Sequence, residues 1–493
     1  MATTLPICSS RARTPVAAAA LLLAAAAAPA QDTTTLAPVT ITGRMEPAAT
    51  VGGWGDVPLS RAPFSASVLS SETLVERGVR RLADAVAVDP AVHQAYSAEG
   101  YWDILNVRGF VVDNRANYRR DGLPINAETR LPLDNKQRVE VLKGTSGLQS
   151  GISAPSGLVN LVVSRPLETP VRYGRLEWRQ RGSLLGAVDL GERFGADRAF
   201  GLRVNAAAER LDPRVRDARG ERHLLALAGD WRLAADALLE AEVEDSRHSQ
   251  PSVPGFSMLG GVVPDANAID PRINLNNQPW SQPTVFDNTT GSLRFTQRFA
   301  PRWRWTAHAA TQRLRTDDRI AFPFGCSAEN VFDRFCSDGT FDIYDFRSEN
   351  ERRRTDALQA SVAGELHTGP VAHAVTAGVL RTRFRARFNE QAGVLPSGVG
   401  NISGTAVVPP DPTLFPPIPD RDERSTEAFV QDAARLGATT AWLGVRHARI
   451  TRSAVGTAEF TRDLTLPSLA VSHELGGGPI VYAGWSQGVE SPV

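Results

Sequence analysis

Arg138-Val-Glu140-Val-Leu142-Lys143-Gly144-Thr-Ser-Gly147-Leu-Gln-Ser-Gly151-Ile-Ser153-Ala-Pro155-Ser-Gly157-Leu-Val-Asn160-Leu-Val-Val163-Ser164-Arg165-Pro166 is the stretch whose pattern decides the fold. It reads as two short strands joined by a glycine-rich loop. Arg138, Glu140 and Leu142 share one face of the first strand; Val139, Val141 and Lys143 share the other. Gly144, Gly147, Gly151 and Gly157 allow a tight loop with several residues at positive φ. Leu158 to Val163 is an apolar, β-branched run closed by Arg165-Pro166. A phosphate-binding loop needs G-x-x-x-x-G-K-[ST] leading into a helix. Here the Lys-Ser/Thr ending is missing and a strand follows, so that reading fails, and a dinucleotide fingerprint fails with it.

Two upstream segments extend the pattern: Asn106-Val-Arg108-Gly109-Phe110, and Tyr118-Arg-Arg-Asp121-Gly122-Leu123-Pro124. Together with Arg138 to Pro166 they resemble the plug domain of TonB-dependent outer-membrane receptors, most closely those for ferric siderophores. The family string is R-x-E-V-L-K-G, a glycine loop, S-A-P-x-G-x-V-N and a K/R-R-P ending. Ser164 departs from it, standing where Lys is more frequent. The resemblance implies an α+β plug held in the lumen of a membrane all-β barrel of about 22 strands, wide enough to contain it.

Composition is compatible with that expectation. The 493 residues carry 54 basic and 54 acidic side chains, and this balance argues against a nucleic-acid binder. Beyond residue 30 no apolar run is long enough for a transmembrane helix, so a membrane form has to be a closed barrel. The N-terminus reads as a signal peptide over 1–30: Arg11 and Arg13, a short apolar stretch from Val16 to Ala28, and Ala28-Pro29-Ala30 as cleavage site. Cys8 precedes the apolar stretch and is expected to leave with it. In an exported chain the remaining pair, Cys326 and Cys336, predicts a disulfide closing a small outer loop. A metal pair is the alternative, though no His or second Cys pair lies close in sequence.

Residues 31–60 are polar and lack periodicity, and contain Leu36-Ala-Pro-Val39-Thr40-Ile41-Thr42. This β-prone string resembles the family's TonB box, which implies added-strand pairing with the periplasmic protein TonB; the alternative is an ordinary linker. The segment is too short for a further signalling domain, given domain sizes of about 50 residues or more. A plug domain is expected over 61–168. Within it, a strand runs from Phe64 to Ser70, and Ser70 or Ser71 caps a helix that Gly78 ends. A second short helix passes through Leu82, Ala85 and Val86.

From 172 to 493 the texture becomes period-two alternation. Phe200, Leu202, Val204, Ala206 and Ala208 fall on one face, and Arg203, Asn205 and Glu209 on the other. A β-sandwich alternates similarly, but the signal peptide and plug favour a barrel. Short turns at Gly195–Asp197 and Gly476–Gly478 and long loops at 250–287, 322–340 and 391–424 match the periplasmic and outer ends of such barrels. Trp178, Trp231, Trp303 and Trp305 are expected in the interfacial aromatic girdle. Alternation gives roughly thirteen strands. The expectation is therefore a partial barrel truncated at the C-terminus, and the end at Val493 lacks the aromatic residue that the family's last strand carries.

No catalytic constellation appears: the eight His are scattered and no G-x-S-x-G elbow occurs. The expected work is binding and gated passage in the outer membrane of a Gram-negative bacterium. The resemblance implies a ferric siderophore as ligand, TonB and its inner-membrane energising complex as partners, outer-membrane lipid around the wall and a monomeric state. No cofactor is expected, because iron arrives chelated in the cargo. By the same resemblance Arg108 and Asn126 are ligand contacts. Tyr101, Trp102, Trp280 and Phe256 are candidates because aromatics are enriched in binding sites. Arg138, Glu140 and Lys143 are expected to contact the barrel wall through charges such as Arg175, Glu177, Arg179 or Arg203. The alternatives are a receptor for haem, cobalamin or another metal chelate, and a non-functional receptor fragment.

Overall fold

The computed structural model describes residues 48–50 and 57–488, apart from positions 97, 145, 151–152, 154, 268, 393–394 and 477. The signal peptide and the Leu36 to Thr42 segment lie outside the described residues. Between Ser65 and Val163 the chain builds a five-stranded sheet in the order Ser65–Ser70, Lys136–Lys143, Gly157–Val163, Tyr118–Arg120, Leu123–Ile125. All neighbours are antiparallel except Tyr118–Arg120, which runs parallel to Gly157–Val163. Val139, Val141, Val159 and Leu161 turn one face into a core with Leu69, Leu74, Leu105 and Tyr118. The helix Ser71–Glu76 starts where Ser70 Oγ accepts from the Thr73 amide at 3.2 Å, and Gly78 follows at φ 64°. Leu82–Ala87 is a 3₁₀ helix. The glycine loop contains one short helix, Gly147–Ser150, which the sequence pattern did not show. Gly157 has φ 127°, and a Cβ there would lie 1.8 Å from the Leu142 carbonyl oxygen, so no other residue fits.

After Pro166 the alternating segments become strands of one antiparallel meander: β1 (Val171–Arg179), β2 (Ser183–Phe194), β3 (Phe200–Leu211), β4 (Gly220–Ala234), β5 (Ala237–Gln250), β6 (Thr284–Ala300), β7 (Trp303–Pro323), β8 (Thr340–Thr368), β9 (Val371–Arg387), β10 (Arg421–Leu436), β11 (Thr439–Ala454), β12 (Phe460–Glu474) and β13 (Ile480–Ser486). Two short strands, Gln391–Ala392 and Gly398–Asn401, pair with the loop end of β8. Among the described residues β1 and β13 do not pair with each other, so the sheet is a curved, open wall. No described helix is long and apolar enough to cross a membrane.

Alternation sorts the two faces as the sequence pattern predicts. On β3, Leu202 is exposed outside while Asn205 and Glu209 are buried on the plug side. Leu190, Leu225, Leu227, Val243, Leu293, Val379 and Val430 continue the exposed apolar surface. Phe194, Phe200 and Trp231 stack near the short-turn end, with Trp305 against Phe295. Trp178 is exposed at the opposite end of β1, while Trp303 and Trp305 are half-buried.

The plug meets this wall through charge. On β5 every second residue faces inward, which sets Glu240, Glu242 and Glu244 in one buried column. Arg120 of the plug is bidentate on Glu242 (2.6 and 2.9 Å) and reaches Glu244 at 2.9 Å. Oε2 of Glu244 also accepts from Lys136 Nζ at 2.8 Å and Asn135 Nδ2 at 2.6 Å. Asp134 of the plug accepts from Arg222 at 2.6 Å and from Arg175 at 3.4 Å, and Arg80 pairs with Glu177. Higher up, Glu128 meets Arg353 at 2.8 Å. Burial alone would raise the pKa of Asp134, but the Arg222 and Arg175 guanidiniums more than offset it and hold the carboxyl below its usual range.

One expectation is corrected here. Arg138, Glu140 and Lys143 find the partners seen in the structure within the plug. Glu140 is fully buried, accepting from Arg138 Nε at 2.7 Å, Asn160 Nδ2 at 3.0 Å and the Thr50 amide at 3.1 Å. Lys143 pairs with Asp89 at 2.9 Å. The reason is coverage. The face that Glu140 shares with Leu142 is closed by Ala49, Leu59 and Phe64, so it does not look onto the wall. On the wall side Arg175 and Glu177 do meet plug charges, and Arg203 Nη1 donates to the Arg165 carbonyl at 2.9 Å.

Glu244→Gln keeps the side-chain size and removes the charge that Arg120 and Lys136 share. It should weaken plug seating by on the order of 3–5 kcal/mol. Protease access to the plug across a urea series measures this, and an unchanged midpoint would show that Glu244 carries no such weight. Asp134 adds a pH dependence. A carboxyl depressed in the folded state contributes stability that is present above its unfolded pKa of about 3.9 and is lost as pH falls through the lower folded value. Plug amide protection should therefore stay flat from neutral pH to about 5 and fall in stronger acid; loss already between pH 7 and 5 would contradict the assignment.

Candidate functional site

The three long loops 251–283, 324–339 and 388–420 leave the same end of the wall and close over one another. They share a small core of Leu275, Phe335, Phe341, Ile343 and Val408, with Phe256 and Trp280 packed against it. Trp280 Nε1 donates to the Val408 carbonyl at 3.0 Å, and Gln278 bonds both Ala406 O and Val408 N. A disulfide joins Cys326 to Cys336 in the middle loop. With both sulfurs bonded, the pair offers no thiolate to a metal.

Beneath this roof lies the outward face of the plug. Glu99 accepts from the Val253 amide at 2.9 Å through its backbone and from Gln250 Nε2 at 3.1 Å through its side chain. Gly100, at φ 77°, fits so closely under the first loop that a Cβ would approach Pro251 O to 2.3 Å. Tyr101 and Trp102 form a three-ring cluster with Phe286, at centroid distances of 4.0 and 5.9 Å. Burial, reinforced by Asp318 and Glu351, pushes the Tyr101 phenol well above its ordinary pKa, so it stays a neutral donor. Arg81 and Arg130 converge on Asp103 at 2.7 and 3.3 Å.

Next to this face, between plug residues 113–125 and the loop ends of β9, β10 and β11, is a cavity of about 350 Å³. Arg115, Arg119, Arg421 and Arg452 line it, with Asp422 and Glu423 among the acids and Ile125, Phe384, Ile450 and Phe460 among the apolar groups. Such a mixture can hold a bulky polar molecule: apolar walls supply contact area, and guanidiniums supply directed donors.

The candidate residues distribute unevenly over these features. Tyr101 and Trp102 lie on the plug's outward face, in contact with the wall. Arg108 is exposed at the tip of the hairpin joining Ile104–Val107 to Phe110–Val111, at φ 52°. Asn126 is buried and already engaged. Its backbone exchanges two hydrogen bonds with Gln312, and its side chain bonds the Glu128 carboxylate and amide. Trp280 and Phe256 are committed to the loop core. The sequence reading missed the Glu240, Glu242, Glu244 column, although three acids at alternate positions are visible as such. It also missed Arg119 and Arg120. Adjacent residues on a strand point to opposite sides, so this pair sends one guanidinium to the wall and one to the cavity.

Residues 58–158 match the TonB-dependent Receptor Plug Domain family, and residues 230–493, more than half of the chain, match the TonB dependent receptor-like, beta-barrel family. The ferrichrome receptor FcuA of Yersinia enterocolitica is 23% identical over 357 residues, covering 70% of this chain and 44% of that protein. The catecholate siderophore receptor Fiu of Escherichia coli K12 is 24% identical over 359 residues, covering 66% and 44%. The chain thus spans about half the length of the curated relatives it matches. Among solved structures, BauA, the ferric preacinetobactin receptor from Acinetobacter baumannii, superposes with a TM-score of 0.78 at 19% identity, over 89% of this chain and 65% of that one. That likeness supports the fold, and the two family matches carry the assignment: the chain belongs to the TonB-dependent receptors, in which a plug domain is joined to a β-barrel.

Proposed function

We propose that the chain acts in the outer membrane as a receptor that binds a ferric siderophore and imports it with energy transmitted by TonB. The observation that carries this reading is the seam between plug and wall. It is built from ion pairs such as Arg120 with Glu242 and Glu244, and Asp134 with Arg222. An apolar seal would hold the plug by buried area and oppose any water entry. Paired charges regain hydration when water enters the seam, so a polar plug can be remodelled without exposing an apolar interface. The exposed apolar outer face of the wall suits lipid, and the roofed outward face of the plug suits capture of a bulky polar cargo. Relatives named as ferrichrome and catecholate siderophore receptors favour a ferric siderophore over haem or cobalamin.

In this mechanism, cargo settles on the plug's outward face and biases the plug towards a state in which Leu36 to Thr42 is available in the periplasm. TonB adds a strand to that segment and pulls. Ile41→Pro removes a backbone donor, so it should abolish energy-dependent uptake of radiolabelled ferric siderophore in an iron-starved strain while leaving binding at the cell surface unchanged. Loss of surface binding in the same variant would overturn this division of labour. Absence of uptake of every ferric siderophore tried, with the protein present in the outer membrane, would move the assignment to another nutrient.

A further inference from the structure

Arg119 carries a buried charge that the plug itself does not neutralise. Its residue is 5% exposed, and its hydrogen bonds run from Nη1 to the carbonyls of Ala116 (2.7 Å) and Tyr118 (2.8 Å). No carboxylate lies within ion-pair distance of it among the described residues. The acid that acts on it electrostatically, Glu427, is already bound by Arg446 at 2.5 Å and by Ser425 Oγ at 2.6 Å. Two guanidiniums therefore share one buried carboxylate. Burial lowers the Arg119 pKa to about 10, which still leaves it protonated at neutral pH.

The other acids around the cavity are occupied. Asp113 accepts from Arg115, Glu423 pairs with Arg452, and Asp422 takes Arg387 at 2.8 Å. Arg421, exposed at the strand end on the cavity rim, makes no ion pair among the described residues. The cavity thus has a cation at its floor, another at its mouth, and apolar walls between. An uncompensated buried charge costs several kcal/mol unless something completes it, and a guanidinium is best completed by the planar fork of a carboxylate.

We propose that this cavity is an anion subsite, in which Arg119 and Arg421 take a carboxylate-bearing arm of the cargo, so that the receptor selects negatively charged ferric chelates over uncharged ones. The proposal rests on the receptor reading above. The space matches: about 350 Å³ admits an arm of a chelate and lies at the lower end of ligand pockets.

The test is titration of the full chain in detergent micelles, followed by tryptophan quenching, with two probes: ferric citrate and the ferric complex of an uncharged trihydroxamate. The unsubstituted chain should bind ferric citrate about tenfold more tightly, a preference equivalent to one strong charge-assisted contact. Arg119→Gln should erase that preference by lowering the ferric citrate affinity about tenfold more than the trihydroxamate affinity. Arg119→Lys should restore part of it, since the charge returns without the fork. Arg421→Gln, at the exposed rim, should cut it about threefold and keeps the test decisive if the plug variant does not fold. Equal binding of both probes, or equal loss of both in Arg119→Gln, overturns the subsite while the receptor reading stands. If neither ferric probe binds but iron-free citrate does so in an Arg119-dependent manner, the subsite stands and the receptor reading falls. If citrate binds in neither form, the subsite is overturned.

Discussion

The Glu244 carboxylate is the point on which plug and wall agree. One oxygen collects Arg120, Lys136 and Asn135, three donors from two separate plug segments. Those segments, Tyr118–Arg120 and Lys136–Lys143, are not adjacent in the plug sheet, since Gly157–Val163 lies between them. A single wall residue therefore registers the plug sheet across three strands. Desolvating so many charges is expensive, and the pairing concentrated on Glu244 Oε2 offsets that cost, while Oε1 is buried without a hydrogen-bond partner among the described residues. Removing one partner leaves the others buried and unmatched, so the seam behaves as a unit more than as a sum of pairs.

This constraint explains the rest of the lumen. Many inward positions on the wall are polar and answer plug charges, and the outward face is largely apolar. Small apolar clusters lie among the strands, such as Leu185 with Ala207, Leu224 and Ala226 on the wall, and Leu123 of the plug against Ala357 and Leu380. The larger apolar clusters lie in the plug sheet and in the loop roof.

Much of the architecture is legible in the sequence. Period-two alternation yields strands such as Phe200–Leu211 with the correct face inside, and the uneven turns identify which end carries the loops. The motif strands Lys136–Lys143 and Gly157–Val163 pair as their pattern suggests. Partner choice is another matter. The faces of the Arg138 to Lys143 strand were readable, but Ala49, Leu59 and Phe64 pack over one of them, and no local signal announces that cover. Trp280 shows the same limit. Its type suggested a ligand contact, while its indole hydrogen is spent on the Val408 carbonyl more than a hundred residues away. Arg119 was hidden for the opposite reason, because its meaning lies in a missing partner, which only the surrounding geometry reveals.

The Thr50 contact with Glu140 has a mechanical meaning. Tension applied to the chain ahead of it does not first reach the seam. It reaches Ala48–Ala49, paired with Val57–Pro58, and Thr50, whose amide and hydroxyl hold Glu140, and then Ser65–Ser70, a six-residue strand at the edge of its sheet. An edge held on one side can peel bond by bond at low force, whereas the central strands behind it are gripped on both sides. Glu140 also holds Asn160, whose side-chain oxygen accepts from the Gly122 amide, two residues past Arg120. A short chain of contacts through Glu140 and Asn160 thus joins the leading edge of the plug to the strand that carries its anchor on the wall.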